Sequence, residues 1–169
     1  MTIAVGDKLP EATLVKMGDD GPEQFTISAL TKGRKVVIFA VPGAFTSACH
    51  QAHVPGFIRN ADAIRARGVD EIICVSVNDP FVMKAWSEAT GAEKAGINML
   101  ADAEGAYAKA LDLQFEVPAI GLIGRSQRYA MLVENGTVSV FNLETECGVD
   151  VSSGETMLKS LEDRSGSAA

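Results

Sequence analysis

The stretch of the chain best suited to chemistry is residues 41–57, VPGAFTSACHQAHVPGF. Cys49 lies between a predicted buried strand and a helical pattern, so we expect it in the first turn of a helix. Free backbone N–H groups and the helix dipole favour a thiolate there over a thiol. Thr46 can turn its hydroxyl onto the sulfur, or onto a molecule that the sulfur attacks, and Pro42 stiffens the loop. This placement predicts a nucleophile, although cysteine is most often a buried structural residue.

The elements that must position this cysteine resemble a parallel βαβ unit. Lys35–Val41 and residues 71–77 are apolar runs typical of strands buried on both faces. A helical pattern lies between them, and Pro55 should kink it or separate its first turns from the rest. Strand, helix and strand over about forty residues predict a parallel pair with a right-handed crossover.

The second half of the chain predicts antiparallel strands and a final helix. Residues 128–134 and Thr137–Leu143 flank an Asn-Gly pair, a strong signal for a hairpin. Ser152 and Glu155 have the spacing of a capping box that opens a last helix ending near Leu161. A parallel half followed by a hairpin and a helix predicts the α/β class, with a mixed central sheet flanked by helices, as in the thioredoxin-like fold.

The composition narrows the classes of function. The chain has 169 residues with a net charge of −7, and we interpret residues 1–164 as one domain and residues 165–169 as a disordered tail. Acidic character without a Lys/Arg run disfavours nucleic acid or an anionic membrane as a partner. Residues 1–10 lack the features of a secretory signal, and the apolar runs are too short to cross a membrane. We therefore expect a cytoplasmic protein.

Other chemistries of a cysteine at a helix start have weaker support. His53 lies one turn beyond Cys49, and His50 is adjacent to it, but no oxyanion-hole donor or orienting Asn stands out for a Cys–His protease. Cys49 and His53 supply only two metal ligands, without a second pair at zinc spacing, so we expect no metal. The chain has no Cys-x-x-Cys pair, which disfavours a thioredoxin-type disulfide reductase.

Several segments resemble the peroxiredoxins. Residues 42–49, PGAFTSAC, match the pattern Pro-x-x-x-Thr-x-x-Cys. Residues 53–57 (HVPGF), 76–79 (SVND) and 128–131 (RYAM) are similar to the type II, or peroxiredoxin-5-like, branch. The resemblance runs from about residue 5 to residue 161, with the segments in the family's order. It implies a thiol peroxidase that reduces hydrogen peroxide and alkyl hydroperoxides.

The resemblance also implies roles for single residues. Cys49 would attack the peroxide O–O bond and become a sulfenic acid. Thr46 would orient the peroxide, Arg128 would hold the thiolate and stabilise charge as the bond breaks, and Pro42 would shield the sulfur. Backbone amides near Cys49 would complete the peroxide site.

Two details qualify the match. Family members often carry Pro directly after the Thr, where this chain has Ser47, so the rigidity of the loop can differ. Arg125 competes with Arg128 for the arginine role: in one strand the two would face opposite sides, and only one could reach Cys49. The family pattern selects Arg128.

The other two cysteines bear on how the sulfenic acid is reduced. Cys74 lies in the middle of a predicted strand, and Cys147 follows the hairpin in a predicted exposed loop. Each is a possible resolving cysteine by similarity to other members, and a bond from Cys74 to Cys49 would require local unfolding. The favoured interpretation is a one-cysteine cycle with an external reductant, glutathione with glutaredoxin or else thioredoxin, and no cofactor.

Two further hypotheses concern assembly and class. Loops near the active site form a dimer contact in relatives, and Phe45, Phe81 and Phe115 lie in the corresponding segments. The sequence therefore suggests a homodimer through these aromatic residues. The alternative to an enzyme is a redox-sensing or holdase-like binding protein that uses oxidation of Cys49 as a switch.

Overall fold

The computed structural model of the chain describes residues 1–167, with the side chains of residues 1–164. The strands are β1 (Thr13–Gly18), β2 (Gly21–Thr26), β3 (Lys35–Val41), β4 (Glu71–Ser76), β5 (Ile97–Ala101), β6 (Gln114–Val117), β7 (Leu122–Ser126), β8 (Tyr129–Glu134) and β9 (Thr137–Leu143). The helices are α1 (Ile27–Thr31), α2 (Val54–Ala66), α3 (Pro80–Thr90), α4 (Ala106–Ala110) and α5 (Gly154–Ser167), with a π-helical turn at Cys49–His53 and a 3-10 turn at Pro118–Ile120.

A mixed seven-stranded sheet forms the centre of the fold, in the order β2-β1-β5-β4-β3-β8-β9. Strands β3, β4 and β5 are parallel, and the remaining pairs are antiparallel. Strands β6 and β7 form a separate hairpin. The predicted α/β class, with a mixed sheet flanked by helices, is confirmed.

The two faces of the sheet bury separate apolar clusters. Strand β3 alternates between them: Val37, Phe39 and Val41 pack on the face covered by α2, α3 and α5, and the residues between them pack on the opposite face. Cys49 and Cys74 both belong to the first cluster. Both faces of β3 are covered, so burial on both faces explains its continuous apolar sequence, as predicted.

The register of the sheet brings distant segments to the end of β3. Val41 pairs with Ser76 at the carboxyl ends of the parallel strands β3 and β4. On the other side, Ala40 pairs with Tyr129 at the start of the antiparallel strand β8. The loop after β3, the loop after β4 and the residues before β8 therefore meet at one edge of the sheet.

The last helix differs from its predicted start and end. The N-cap of this helix is Ser153, whose side-chain oxygen accepts a hydrogen bond from the backbone N–H of Thr156 at 3.1 Å. The prediction of a capping box formed by Ser152 and Glu155 is therefore wrong by one residue. Helix α5 continues to Ser167, beyond the predicted end near Leu161. Of the predicted tail, residues 165–167 belong to this helix and residues 168–169 lie outside the described residues, so disorder of the tail stays a prediction.

Candidate active site

The loop between β3 and Cys49 is held in a strained shape. Phe45 has a φ of 63°, in the left-handed region that bulky side chains rarely adopt. Asn78, which follows β4, accepts a hydrogen bond from the backbone N–H of Ala44 at 3.0 Å. The Thr46 hydroxyl lies 2.7 Å from the carbonyl oxygen of Gly43. Strain of this kind persists where the surroundings over-determine a conformation, as they often do at functional sites.

Cys49 opens the π-helical turn that leads into α2. The backbone N–H of Val54 donates to the carbonyl oxygen of Cys49, five residues earlier, which makes this turn wider than an α-helical one. Pro55 follows directly and cannot donate to the carbonyl four residues before it, which gives a physical reason for the interruption. The predicted separation of the first turn from the rest of the helix is confirmed.

Two side-chain donors meet at the Cys49 sulfur. The Thr46 hydroxyl lies 2.8 Å from Sγ, and Arg128 Nη2 donates to Sγ at 3.2 Å. The Thr46 hydroxyl has one proton for two acceptors, the sulfur and the carbonyl oxygen of Gly43. The fixed positive charge of Arg128 and the start of the helix both favour a negative sulfur. The arrangement can hold a thiolate and offer a hydrogen bond beside it.

The two candidate arginines belong to different segments. Arg128 lies directly before β8, whereas Arg125 lies in β7, so alternation within one strand does not decide between them. Arg125 Nη1 donates to the carbonyl oxygen of Pro42 at 3.4 Å. Arg128 reaches the sulfur, and Arg125 contacts the loop that carries it.

His53, which the sequence offered only as a protease base or a metal ligand, lies in the site and contacts Arg128. Its imidazole is fully buried, with Nδ1 3.0 Å from Arg128 Nη1 and Nε2 2.8 Å from the carbonyl oxygen of Ser152. Burial, followed by the charge of Arg128, lowers the pKa of His53 to about 3. The available signal was its position four residues after Cys49, one helical turn along.

A cavity of about 550 Å³ lies beside the site. Pro42, Thr46 and Arg128 line this cavity, and Cys49 itself is buried. The β6–β7 region adds apolar side chains, among them Phe115, and residues 144–148 after β9 close the cavity with acidic side chains and a thiol. A small molecule in this cavity would lie next to both donors of the site.

All three cysteines are free thiols in the described part of the chain. Cys74 is fully buried in β4, and burial raises the pKa of its thiol well above the ordinary value, with a smaller contribution from Cys49. Cys147 is exposed and lines the cavity. Cys147 is therefore the accessible thiol of the three, and it lines the same cavity as Arg128.

Of the aromatic residues predicted at a dimer contact, Phe45 and Phe81 are 51% and 63% exposed, and Phe115 is half-buried.

In the described residues, no group of three or more His, Cys, Asp or Glu side chains is arranged to hold a metal ion. None of the described helices has the length and apolar character needed to cross a membrane.

Comparison of the sequence with known families agrees with this geometry. The redoxin family matches residues 4–158. Peroxiredoxin-2E-2, chloroplastic, of Oryza sativa subsp. japonica is 49% identical over 164 residues, which are 95% of this chain and 73% of that protein. Peroxiredoxin-2C of the same organism is 46% identical over 160 residues, which are 94% of this chain and 98% of that protein.

Solved structures give the same result. The reduced Prx3 of Vibrio vulnificus in complex with H₂O₂ is 48% identical, with a TM-score of 0.90 over 95% of this chain and 99% of that chain. Peroxiredoxin 5 of Alvinella pompejana is 31% identical, with a TM-score of 0.83 over 95% of this chain and 99% of that chain. Family match, identity over nearly the whole chain and shared fold lead to one conclusion: the chain belongs to the peroxiredoxins, the thiol peroxidases of the redoxin family.

Proposed function

We propose that the protein reduces hydrogen peroxide and small alkyl hydroperoxides with Cys49 as the attacking thiolate. The observation that carries this proposal is the pair of donors on Cys49 Sγ, the Thr46 hydroxyl at 2.8 Å and Arg128 Nη2 at 3.2 Å. The sulfur attacks one peroxide oxygen, the O–O bond breaks, and Cys49 becomes a sulfenic acid. The other oxygen takes a proton and leaves as water or alcohol.

The contacts around the sulfur suggest how the barrier is lowered. A peroxide that enters the cavity can accept a hydrogen bond from the Thr46 hydroxyl, which has both the sulfur and the carbonyl oxygen of Gly43 within reach as acceptors. Arg128 stabilises negative charge as it moves from the sulfur to the leaving oxygen. Pro42 is half-buried beside them and limits water around the reacting atoms.

We favour glutathione with glutaredoxin as the reductant in a one-cysteine cycle, with thioredoxin as the alternative. A first thiol would form a mixed disulfide with Cys49 and release water, and a second thiol would restore the Cys49 thiol. Cys74 is a poor resolving candidate because it is buried and its raised pKa keeps it protonated. Cys147 is the better placed of the two, since it is exposed on the cavity.

A homodimer is the proposed assembly, with Phe45, Phe81 and Phe115 at the contact. The exposure of Phe45 and Phe81 supports it, because aromatic side chains are enriched at protein–protein interfaces. Size-exclusion chromatography that finds only monomer at micromolar concentration would remove this hypothesis. The cytoplasmic compartment stays a prediction, since a similar relative is chloroplastic.

Consumption of hydrogen peroxide in the presence of glutathione and glutaredoxin tests the function. The Cys49→Ser variant should have no turnover. Cys147→Ala, which removes a different thiol, is the matched control and should keep turnover in the one-cysteine cycle. Peroxide consumption by Cys49→Ser at the wild-type rate would overturn the assignment. Many turnovers per chain indicate an enzyme, and consumption of one equivalent only would indicate the redox-sensing alternative.

A further inference from the structure

His53 links the helix that carries Cys49 to the arginine that contacts its sulfur. The imidazole is fully buried, and its ring packs against Phe39 and Phe57 at centroid distances of 4.9 Å and 5.6 Å. Both ring nitrogens have partners: Nδ1 faces Arg128 Nη1, and Nε2 faces the carbonyl oxygen of Ser152. These contacts hold the ring in one orientation.

The chemistry of the two partners determines the protonation of His53. A guanidinium can only donate, so Nδ1 must be the acceptor in the bond from Arg128. A carbonyl oxygen can only accept, so Nε2 carries the hydrogen that points to Ser152. His53 is therefore a neutral imidazole, in agreement with the lowering of its pKa to about 3 by burial and by Arg128.

The carbonyl group of Ser152 is itself held in place by Glu144. The backbone N–H and the hydroxyl of Ser152 both donate to Glu144 Oε1 at 2.9 Å. The backbone N–H of Glu144 donates to the carbonyl oxygen of Arg128 at 3.0 Å. The contacts form a closed ring of four residues: Arg128, His53, Ser152 and Glu144.

We propose that His53 is a positioning residue of the peroxidase: it holds Arg128 Nη1 so that Nη2 is directed at the Cys49 sulfur. The guanidinium is planar and rigid, so an acceptor that fixes one Nη atom also fixes the direction of the other. This inference rests on the proposed function of Cys49.

A neutral acceptor has an advantage over a carboxylate in this position. A carboxylate paired with Arg128 would offset the positive charge that the sulfur needs. Among the described residues, no Asp or Glu side chain forms an ion pair with Arg128. His53 orients the guanidinium and leaves its charge for the thiolate.

Two substitutions at His53 separate its two hydrogen bonds. His53→Asn can place an amide oxygen near the position of Nδ1, which keeps the acceptor for Arg128 but loses the bond to Ser152. His53→Gln can place an amide nitrogen near the position of Nε2, which keeps the donor to Ser152 but loses the acceptor. The measurement is the second-order rate of Cys49 oxidation by hydrogen peroxide, followed in a single turnover by mass spectrometry.

The positioning role predicts that His53→Gln is slower than wild type by about 10-fold or more, the loss expected for a charged hydrogen bond. His53→Asn should keep a rate closer to wild type, even though both variants lose stability. In an Arg128→Ala background, His53→Gln should cause no further loss, because His53 acts through Arg128. Ile64→Ala, a fully buried change further along the same helix, is the control for lost stability and should keep the wild-type rate.

The proposal is overturned if His53→Gln oxidises at the wild-type rate, or if its loss is undiminished in the Arg128→Ala background. Arg128→Lys tests the same idea without a change at His53, because one ammonium cannot serve the imidazole and the sulfur as a planar fork does. A wild-type rate in Arg128→Lys would also overturn it. If Cys49→Ser retains turnover, the proposed function fails instead, which keeps the two failures distinguishable.

Discussion

Replacement of Thr46 by valine removes one hydroxyl at nearly constant shape. The hydroxyl lies 2.8 Å from Cys49 Sγ and 2.7 Å from the carbonyl oxygen of Gly43, and in the proposed reaction it donates a hydrogen bond to the peroxide. A hydrogen bond to a charged group contributes about 1.5–3 kcal/mol. Since about 1.4 kcal/mol corresponds to a tenfold change in rate, Thr46→Val should slow Cys49 oxidation by about 10- to 150-fold.

The matched control is Thr46→Ser, which keeps the hydroxyl and loses only the methyl group. Its rate should stay within a fewfold of wild type, because the donor remains in the same loop. Rapid mixing with hydrogen peroxide, followed by trapping of the remaining thiol, measures the rate for all three proteins. The reasoning is refuted if Thr46→Val reacts as fast as wild type, or if Thr46→Ser falls as far as Thr46→Val.

Three further predictions address other parts of the site. Arg128→Ala should slow peroxide reduction by more than Arg125→Ala does, because only Arg128 contacts the sulfur; equal losses in a steady-state assay would contradict this. The pKa of His53 falls from 6.5 in the unfolded chain to about 3 when folded, so its contribution to stability is complete above about pH 6.5 and is lost as the pH falls toward 3. Urea unfolding should therefore show a steeper loss across this range for wild type than for His53→Asn, by up to about 1.4 kcal/mol per pH unit, and parallel profiles would refute the buried neutral imidazole. After one equivalent of peroxide, mass spectrometry should find a sulfenic acid on Cys49, and a disulfide to Cys147 or Cys74 would replace the one-cysteine cycle with a two-cysteine one.

Features that depend on near neighbours in the chain were predictable. The Thr46–Cys49 contact spans three residues, and the turn before Pro55 is interrupted because proline lacks an N–H. The β8–β9 hairpin follows from Asn135-Gly136, where both residues have the positive φ that this tight turn requires. Local spacing and backbone chemistry determine these features with little help from the rest of the fold.

Other elements carried weaker local signals. The β1–β2 and β6–β7 hairpins were not predicted, since much of their sequence is exposed and lacks a continuous apolar run. The last helix begins one residue later than predicted because the side chain of Ser152 hydrogen-bonds Glu144 instead of capping the helix. A competing tertiary partner changed the role of a residue whose local pattern was correct.

The sequence alone predicted the candidate nucleophile Cys49, its neighbour Thr46 and their place at a helix start, because these features lie within a few residues of one another. Family resemblance pointed to Arg128, but only the antiparallel register of β3 and β8 brings it to a sulfur 79 residues away. The fold likewise joins His53 to the carbonyl group of Ser152, 99 residues later. Such contacts depend on which strands pair and in which register, which is a property of the whole folded chain and not of a short stretch of sequence.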